Sequence, residues 1–253
     1  MKLSGKVAIV TGSSRGLGKA IAMGLAREGA DVVIAARTET EGKLPGTIYK
    51  TAEEIQALGY RAIPVKCDVT NEQSVSDMVH KALTEFGHID ILVNNAGVAY
   101  PYSIAETPLK RWELVLRVNL TGAFLCTRAV IPEMIKQRRG SIINISSLAA
   151  NLREGEPVFT GLAYGIAKAG LDRFTWGLAA ELRQHNIAVN AIKPTRVVDT
   201  EGMRFVAVDV DKTNWVSPKK MVKCAIFLAT QDANGITGLV TTDEELSQRY
   251  SLA

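Results

Sequence analysis

Cysteine is scarce in this chain: Cys67, Cys126 and Cys224 are all there is in 253 residues. They are odd in number, far apart and in no CxxC spacing, which excludes a disulfide scaffold and a thiolate metal centre. Three small buried hydrophobes in a reducing compartment, by default the cytoplasm, is the expectation. Histidine is equally thin, and His80, His88 and His185 are scattered, so no metal is expected. No uninterrupted apolar run approaches the roughly 20 residues that span a bilayer, so no membrane partner is expected. The chain enters a buried-strand pattern at Val7, which leaves no room for the regions of a signal peptide. Nor is there a block of one charge: the net +4 is interspersed, and its densest group, residues 136–139, reads as a helix end, so no nucleic-acid partner is expected. Internal repeats, low-complexity tracts and linkers are lacking, which leaves residues 1–253 as one domain.

What is present is 47% hydrophobic and 22% charged, an ordinary globular balance with enough chain for a large core. Short β-rich runs at residues 7–10, 31–35, 62–67, 91–93, 141–146 and 188–192 alternate with helical patterns. The helices read at 17–28, 52–58, 71–86, 112–136, 164–183 and 217–228, the last opened by Ser217 and Pro218. Such alternation predicts an α/β fold, a doubly wound parallel sheet of Rossmann type with helices on both faces. The stretches 38–50 and 151–161 are long for simple connections and read as functional loops.

The first strand runs into Thr11-Gly-Ser-Ser-Arg-Gly-Leu-Gly18 and then a helix. Glycines at that junction let backbone N–H groups and the helix N-terminus approach a pyrophosphate, so Gly12, Ser14, Arg15, Gly16, Leu17 and Gly18 are candidate dinucleotide contacts. At the tip of strand two, a carboxylate would bond a ribose 2′-OH and repel a 2′-phosphate. Here the tip carries Ala36 and Arg37, with Arg15 nearby, and two guanidiniums favour NADP, with NAD possible because Glu39 and Glu41 follow closely. Strand four ends in Asn94-Asn95-Ala96-Gly97, small enough to pass under a cofactor and polar enough to tie strands together. Tyr164-Gly-Ile-Ala-Lys168 places a phenol and an ammonium on one helical face. A free Tyr has a pKa near 10, and a neighbouring ammonium would favour its phenolate and bring it toward a working range.

These motifs, in this order and over nearly the whole chain, resemble the short-chain dehydrogenase/reductase family, whose TGxxxGxG pattern residues 11–18 match without a gap. The resemblance implies an oxidoreductase moving hydride between a nicotinamide and a small apolar alcohol or ketone. It implies a catalytic set of Asn119, Ser147, Tyr164 and Lys168. Tyr164 would be the general acid/base, Ser147 would steady the substrate oxygen, Lys168 would hold the nicotinamide ribose, and Asn119 would hold a relay water. It further implies cofactor contacts from Asp68 and Val69, from Asn95, Ala96 and Gly97, and from Pro194, Val197 and Thr200. A homodimer or homotetramer through the helices at 112–136 and 164–183 is implied as well.

The chain departs from the family pattern in several places. Seventeen positions separate Ser147 from Tyr164, about four more than usual, with the excess around residues 151–159. Pro194-Thr195 replaces Pro-Gly, the acidic tail 241–246 replaces Asp-Gly-Gly, and residues 42–46 are inserted beyond Arg37. Met203, Phe205, Val206, Val208 and Trp215, with Tyr100, Tyr102 and Leu152, suggest a mostly apolar substrate pocket, although packing beneath a lid would use the same residues. Two other readings stand beside the oxidoreductase: a dinucleotide-binding sensor or scaffold without turnover, and an epimerase or dehydratase on the same fold.

Overall fold

A computed structural model describes residues 1–151, 161–206 and 211–252. Its strands are β1 (Val7–Thr11), β2 (Asp31–Ala36), β3 (Ala62–Lys66), β4 (Ile91–Asn94), β5 (Gly140–Ile145), β6 (Ile187–Lys193) and β7 (Val240–Thr242). They form one parallel sheet in the order β3-β2-β1-β4-β5-β6-β7. The order reverses between β1 and β4, which opens a crevice at the carboxyl edge where such sheets take ligands.

Strand side chains alternate between two cores because successive residues point to opposite faces. Ala8, Val10, Val32, Ile34, Ile143 and Ile145 meet α1 (Gly16–Arg27), α2 (Ile48–Ala57) and a later helix, Lys219–Ala229. Ile9, Val33, Ala35, Leu92 and Ile142 face α3 (Glu72–Phe86) and two helices of the second half of the chain. Those strands, buried on both faces, are why the sequence shows continuous apolar runs there.

The long helix expected over 112–136 begins earlier and is interrupted. It comprises α4 (Leu109–Leu116), a π-helical turn (Arg117–Thr121) and α5 (Gly122–Gln137). By length and composition this stretch could cross a membrane, with a mean hydropathy of 1.5. Here it buries Cys126, Val130 and Met134 against the sheet. All three cysteines are buried and free.

Next come α6 (Leu162–Leu182), α7 (Glu201–Val206), α8 (Lys219–Ala229) and α9 (Asp243–Arg249). Helix α2 starts at Ile48, before the apolar periodicity is evident, because Thr47 caps it by accepting from the Lys50 N–H at 3.0 Å. The tail that departs from the family pattern supplies β7 and α9, neither legible as periodicity. Thr242 and Glu245 form a reciprocal capping box that starts α9 on the last residue of the strand.

Candidate active site

The glycine loop lies at the sheet's reversal point and is too tight for side chains. Gly12 has φ +66°, and a Cβ on Gly18 would stand 2.4 Å from Asn95 Nδ2 and 2.5 Å from the Gly12 carbonyl. Asn95 Nδ2 donates to the Thr11 carbonyl (2.9 Å), and the Thr11 hydroxyl accepts from the Asn95 and Ala96 N–H groups at 3.0 and 3.1 Å. Asn94 Nδ2 donates to Asn144 Oδ1 (2.9 Å) and Thr127 Oγ1 (3.0 Å), so the expected ties between neighbouring strands are made. The Gly16 N–H, at the start of α1, donates to Glu201 Oε2 at 3.0 Å. A carboxylate oxygen thus sits where a helix N-terminus would take a phosphate oxygen. Together these features fit a dinucleotide pyrophosphate.

At the β2 tip the two arginines part company. Arg15 turns to the inserted loop and donates to the carbonyls of Leu44, Pro45 and Gly46 at 3.3, 2.8 and 2.8 Å. That anchors the insertion and engages the guanidinium expected to reach a 2′-phosphate. Arg37 is exposed. Glu39 pairs with Lys66 at 2.5 Å and accepts from the Tyr49 hydroxyl at 3.2 Å. The Lys66 bond leads in holding its carboxyl below the ordinary range. Glu41 accepts from the Gly46 N–H (3.3 Å) and from Lys50 (3.4 Å), so both acids are engaged by donors from the inserted loop, α2 and β3. Asp68 serves the turn after β3: burial pushes its carboxyl up, but bonds from the Thr70 N–H and hydroxyl and the charges of Arg37 and Arg117 bring it below its ordinary value. Val69 packs against Gly122, where a Cβ would come within 2.8 Å of it.

Beyond β5, Ser147, Tyr164 and Lys168 converge. The Ser147 side chain hydrogen-bonds the Tyr164 phenol. Lys168 Nζ lies 5.5 Å from the Tyr164 ring centre and donates to the Ile145 carbonyl at 2.7 Å. The seventeen-residue separation is bridged because the turn at Leu148–Asn151 packs directly on α6 at Gly165, whose Cβ would stand 2.9 Å from the Ala149 carbonyl. Gly161, at φ +81°, starts the helix against the Tyr100 carbonyl, 2.2 Å from where its Cβ would be.

One expectation is corrected. The phenol is not drawn toward phenolate: burial pushes its pKa up, with the Ser147 bond only partly opposing. Burial also pulls Lys168 down to about 8 despite the nearby Asp172 carboxylate. The physical reason is that desolvation penalises both charged forms, and the ammonium spends a hydrogen bond on Ile145 rather than on the phenol.

Asn119 lies in the π-helical turn, a rare distortion frequent at functional sites. Its Nδ2 donates to the Val98 and Val115 carbonyls (2.8 and 2.9 Å), while its buried Oδ1 has no partner among the described residues. After β6, Thr195 takes the place of glycine without a positive φ. Its N–H and hydroxyl both donate to Asp243 Oδ1, at 2.8 and 2.5 Å, so the Pro194-Thr195 departure and the acidic tail compensate each other. The Val197 carbonyl accepts from the Val216 N–H (2.9 Å), and Thr200 Oγ1 accepts from the Met203 N–H (3.3 Å) beside Gly16. Tyr100 stacks on Tyr102 at 6.2 Å and shares an apolar cluster with Tyr164. Leu152 and Val208, and the side chain of Val206, lie outside the described residues.

Sequence reading missed Gly165, Asp172 and Lys193. The i, i+4 step from Lys168 to Asp172 was visible, and a lysine inside an apolar strand end was the signal for Lys193.

The short chain dehydrogenase family model matches residues 6–211. The chain is 43% identical over 255 aligned positions to hydroxysteroid dehydrogenase-like protein 2 of Danio rerio, covering 99% of this chain and 60% of that protein. It therefore spans about three-fifths of that relative's length, and 48% of the human protein of the same name. Among solved structures, a metagenomic short-chain oxidoreductase in complex with NADP is 33% identical, with a TM-score of 0.79 over 96% of this chain and 98% of that one. A short-chain type dehydrogenase/reductase from Mycobacterium marinum is 30% identical, with a TM-score of 0.83 over 95% and 94% of the two chains. The chain belongs to the short-chain dehydrogenase family of oxidoreductases, and its fold is that family's Rossmann-type parallel sheet.

Proposed function

We propose that this chain is an NADP-preferring alcohol dehydrogenase or carbonyl reductase acting on a small apolar substrate. The observation that carries it is the meeting of Ser147, Tyr164 and Lys168 beyond the carboxyl end of β5, in the same sheet edge as the glycine cradle. A nicotinamide dinucleotide would supply or accept the hydride. The chain's residues do the rest. Tyr164, kept protonated by burial, is in the form that gives its proton to a carbonyl oxygen during reduction. Ser147, already bonded to the phenol, would steady that oxygen as charge builds on it. Lys168 would bind the ribose hydroxyls, and the unpartnered Asn119 Oδ1 is a natural acceptor for a relay water.

Arg37 supports the NADP preference, as does the NADP in the metagenomic relative. Tyr100, clustered with Tyr164, and Tyr102 stacked on Tyr100 favour an apolar ketone, and a hydroxysteroid-type compound is the class that the curated relatives' name suggests. We propose a homodimer or homotetramer, because Phe124, Ile166 and Trp176 expose apolar surface along α5 and α6, and a cytoplasmic location, because the three cysteines are free thiols. Light scattering tests the assembly: a monomer at micromolar concentration would refute it.

The functional test is NADPH consumption at 340 nm with cyclic ketones, steroid ketones and polyol-derived ketones. Turnover fastest on the apolar ketones is expected. Cofactor binding without consumption on any substrate would favour a sensor, and tightly retained nucleotide with no net change would favour an epimerase.

A further inference from the structure

Lys168 and Lys193 are each 3% exposed, and the buried anion beside them is Asp172, 4% exposed. Tyr164, Lys168 and Asp172 follow at steps of four along α6 and so share one face, with the ammonium in the middle. Left to itself, an i, i+4 Lys–Asp pair would join, and Lys168 would turn from the phenol toward the carboxylate. Both Asp172 oxygens are taken instead. Oδ2 pairs with Lys193 at 2.6 Å, and Oδ1 accepts from the Ser146 hydroxyl at 2.6 Å. Lys193 also donates to Asn151 Oδ1 at 2.6 Å, at the end of the turn that follows Ser147.

We propose that Asp172 and Lys193 are positioning residues: their buried ion pair withholds Asp172 from Lys168, so that one uncompensated ammonium faces Tyr164, and it clamps both ends of the Ser147 turn. The pair is neutral together, which leaves Lys168 as the net positive charge beside the oxygen that gains negative charge when Tyr164 gives up its proton. Without Lys193, Asp172 would cancel that charge. Other groups around the cluster do not substitute for either partner. Tyr164 is neutral, and Asn119 and Ser147 carry no charge. From α9, Glu245 feels Lys193, but its Oε2 is bound by the Thr241 hydroxyl (2.7 Å) and the Thr242 N–H (3.0 Å). Asp243 is bound to Thr195.

This inference rests on the proposed catalytic reading, and the test separates the two. Lysine 13Cε NMR of the cofactor-free protein, with the Lys168 signal assigned by its loss in Lys168→Arg, reads the ammonium's titration without turnover. Lys193→Met should move the Lys168 midpoint to higher pH, as Asp172 becomes its partner, and Asp172→Asn should move it lower, each by about one unit or more. In the turnover assay Lys193→Met should lower kcat at least roughly tenfold while NADPH binding holds. Adding Asp172→Asn to Lys193→Met should restore part of that rate, because the competitor for Lys168 is gone. A merely structural pair would also recover stability in the double variant, but it would leave the Lys168 midpoint unmoved in both single variants. Unmoved midpoints, or a double variant slower than Lys193→Met, would overturn the proposal. If Asp172→Asn does not fold, Lys193→Met and the double variant decide. A wild type that consumes no NADPH on any ketone defeats the catalytic reading and leaves the NMR arm standing.

Discussion

Replacing Arg37 by alanine should convert a cofactor preference into near indifference. The two acids near the β2 tip are engaged: Glu39 by Lys66 and Tyr49, and Glu41 by Lys50 and the Gly46 N–H. Arg15 donates to three loop carbonyls, which leaves Arg37 as the exposed guanidinium at the tip. A charged hydrogen bond to a phosphate contributes about 1.5–3 kcal/mol, which is roughly 13- to 160-fold in Kd. Fluorescence or calorimetric titration with NADPH and NADH at fixed salt should show that loss for NADPH and less than about twofold for NADH. Arg15→Ala is the control. It should weaken both cofactors alike and lower thermal stability, since it frees the inserted loop. Equal loss for both cofactors in Arg37→Ala, or an NADPH-selective loss in Arg15→Ala, would refute this division of labour.

Three further outcomes follow from the same geometry. Glu201→Gln removes the carboxylate that occupies the Gly16 N–H and should tighten NADPH about fivefold, the equivalent of about 1 kcal/mol at a helix N-terminus; unchanged affinity by titration would contradict it. With Lys168 at about 8 rather than 10.5, reductase activity should fall as pH rises through 8. Over the same interval the unfolded chain binds more protons than the folded one, so unfolding free energy should rise from pH 8 toward 10.5 in denaturant titrations. An activity plateau extending past pH 10 would contradict the assignment of that limb to Lys168. Asp243→Ala strips the Thr195 N–H, Thr195 hydroxyl and Glu244 N–H of their acceptor and should cost about 2–3 kcal/mol in chemical denaturation, whereas less than about 0.5 would show the contact to be dispensable.

The doubly wound sheet was legible because its strands are buried on both faces and read as unbroken apolar runs, from Val7 onward. The candidate site was legible because the motifs at 11–18, 94–97 and 164–168 are local, and local spacing survives folding. What escaped was tertiary. Helix α9 and β7 depend on a capping box and on edge pairing with β6, neither of which leaves a hydrophobic period. Arg15 reads as a phosphate ligand until the inserted loop folds back over it. The sign of the tyrosine's shift also depends on burial, which an i, i+4 spacing does not carry.

The central claim is that Tyr164 gives a proton to a carbonyl oxygen while hydride leaves a bound nicotinamide. Single-turnover oxidation of NADPH by wild type and Tyr164→Phe, with cofactor affinity measured on the same samples, tests it most directly. The expected result is unchanged binding with a rate lower by about 10²–10⁴-fold. A phenylalanine variant that turns over at the wild-type rate would contradict the account.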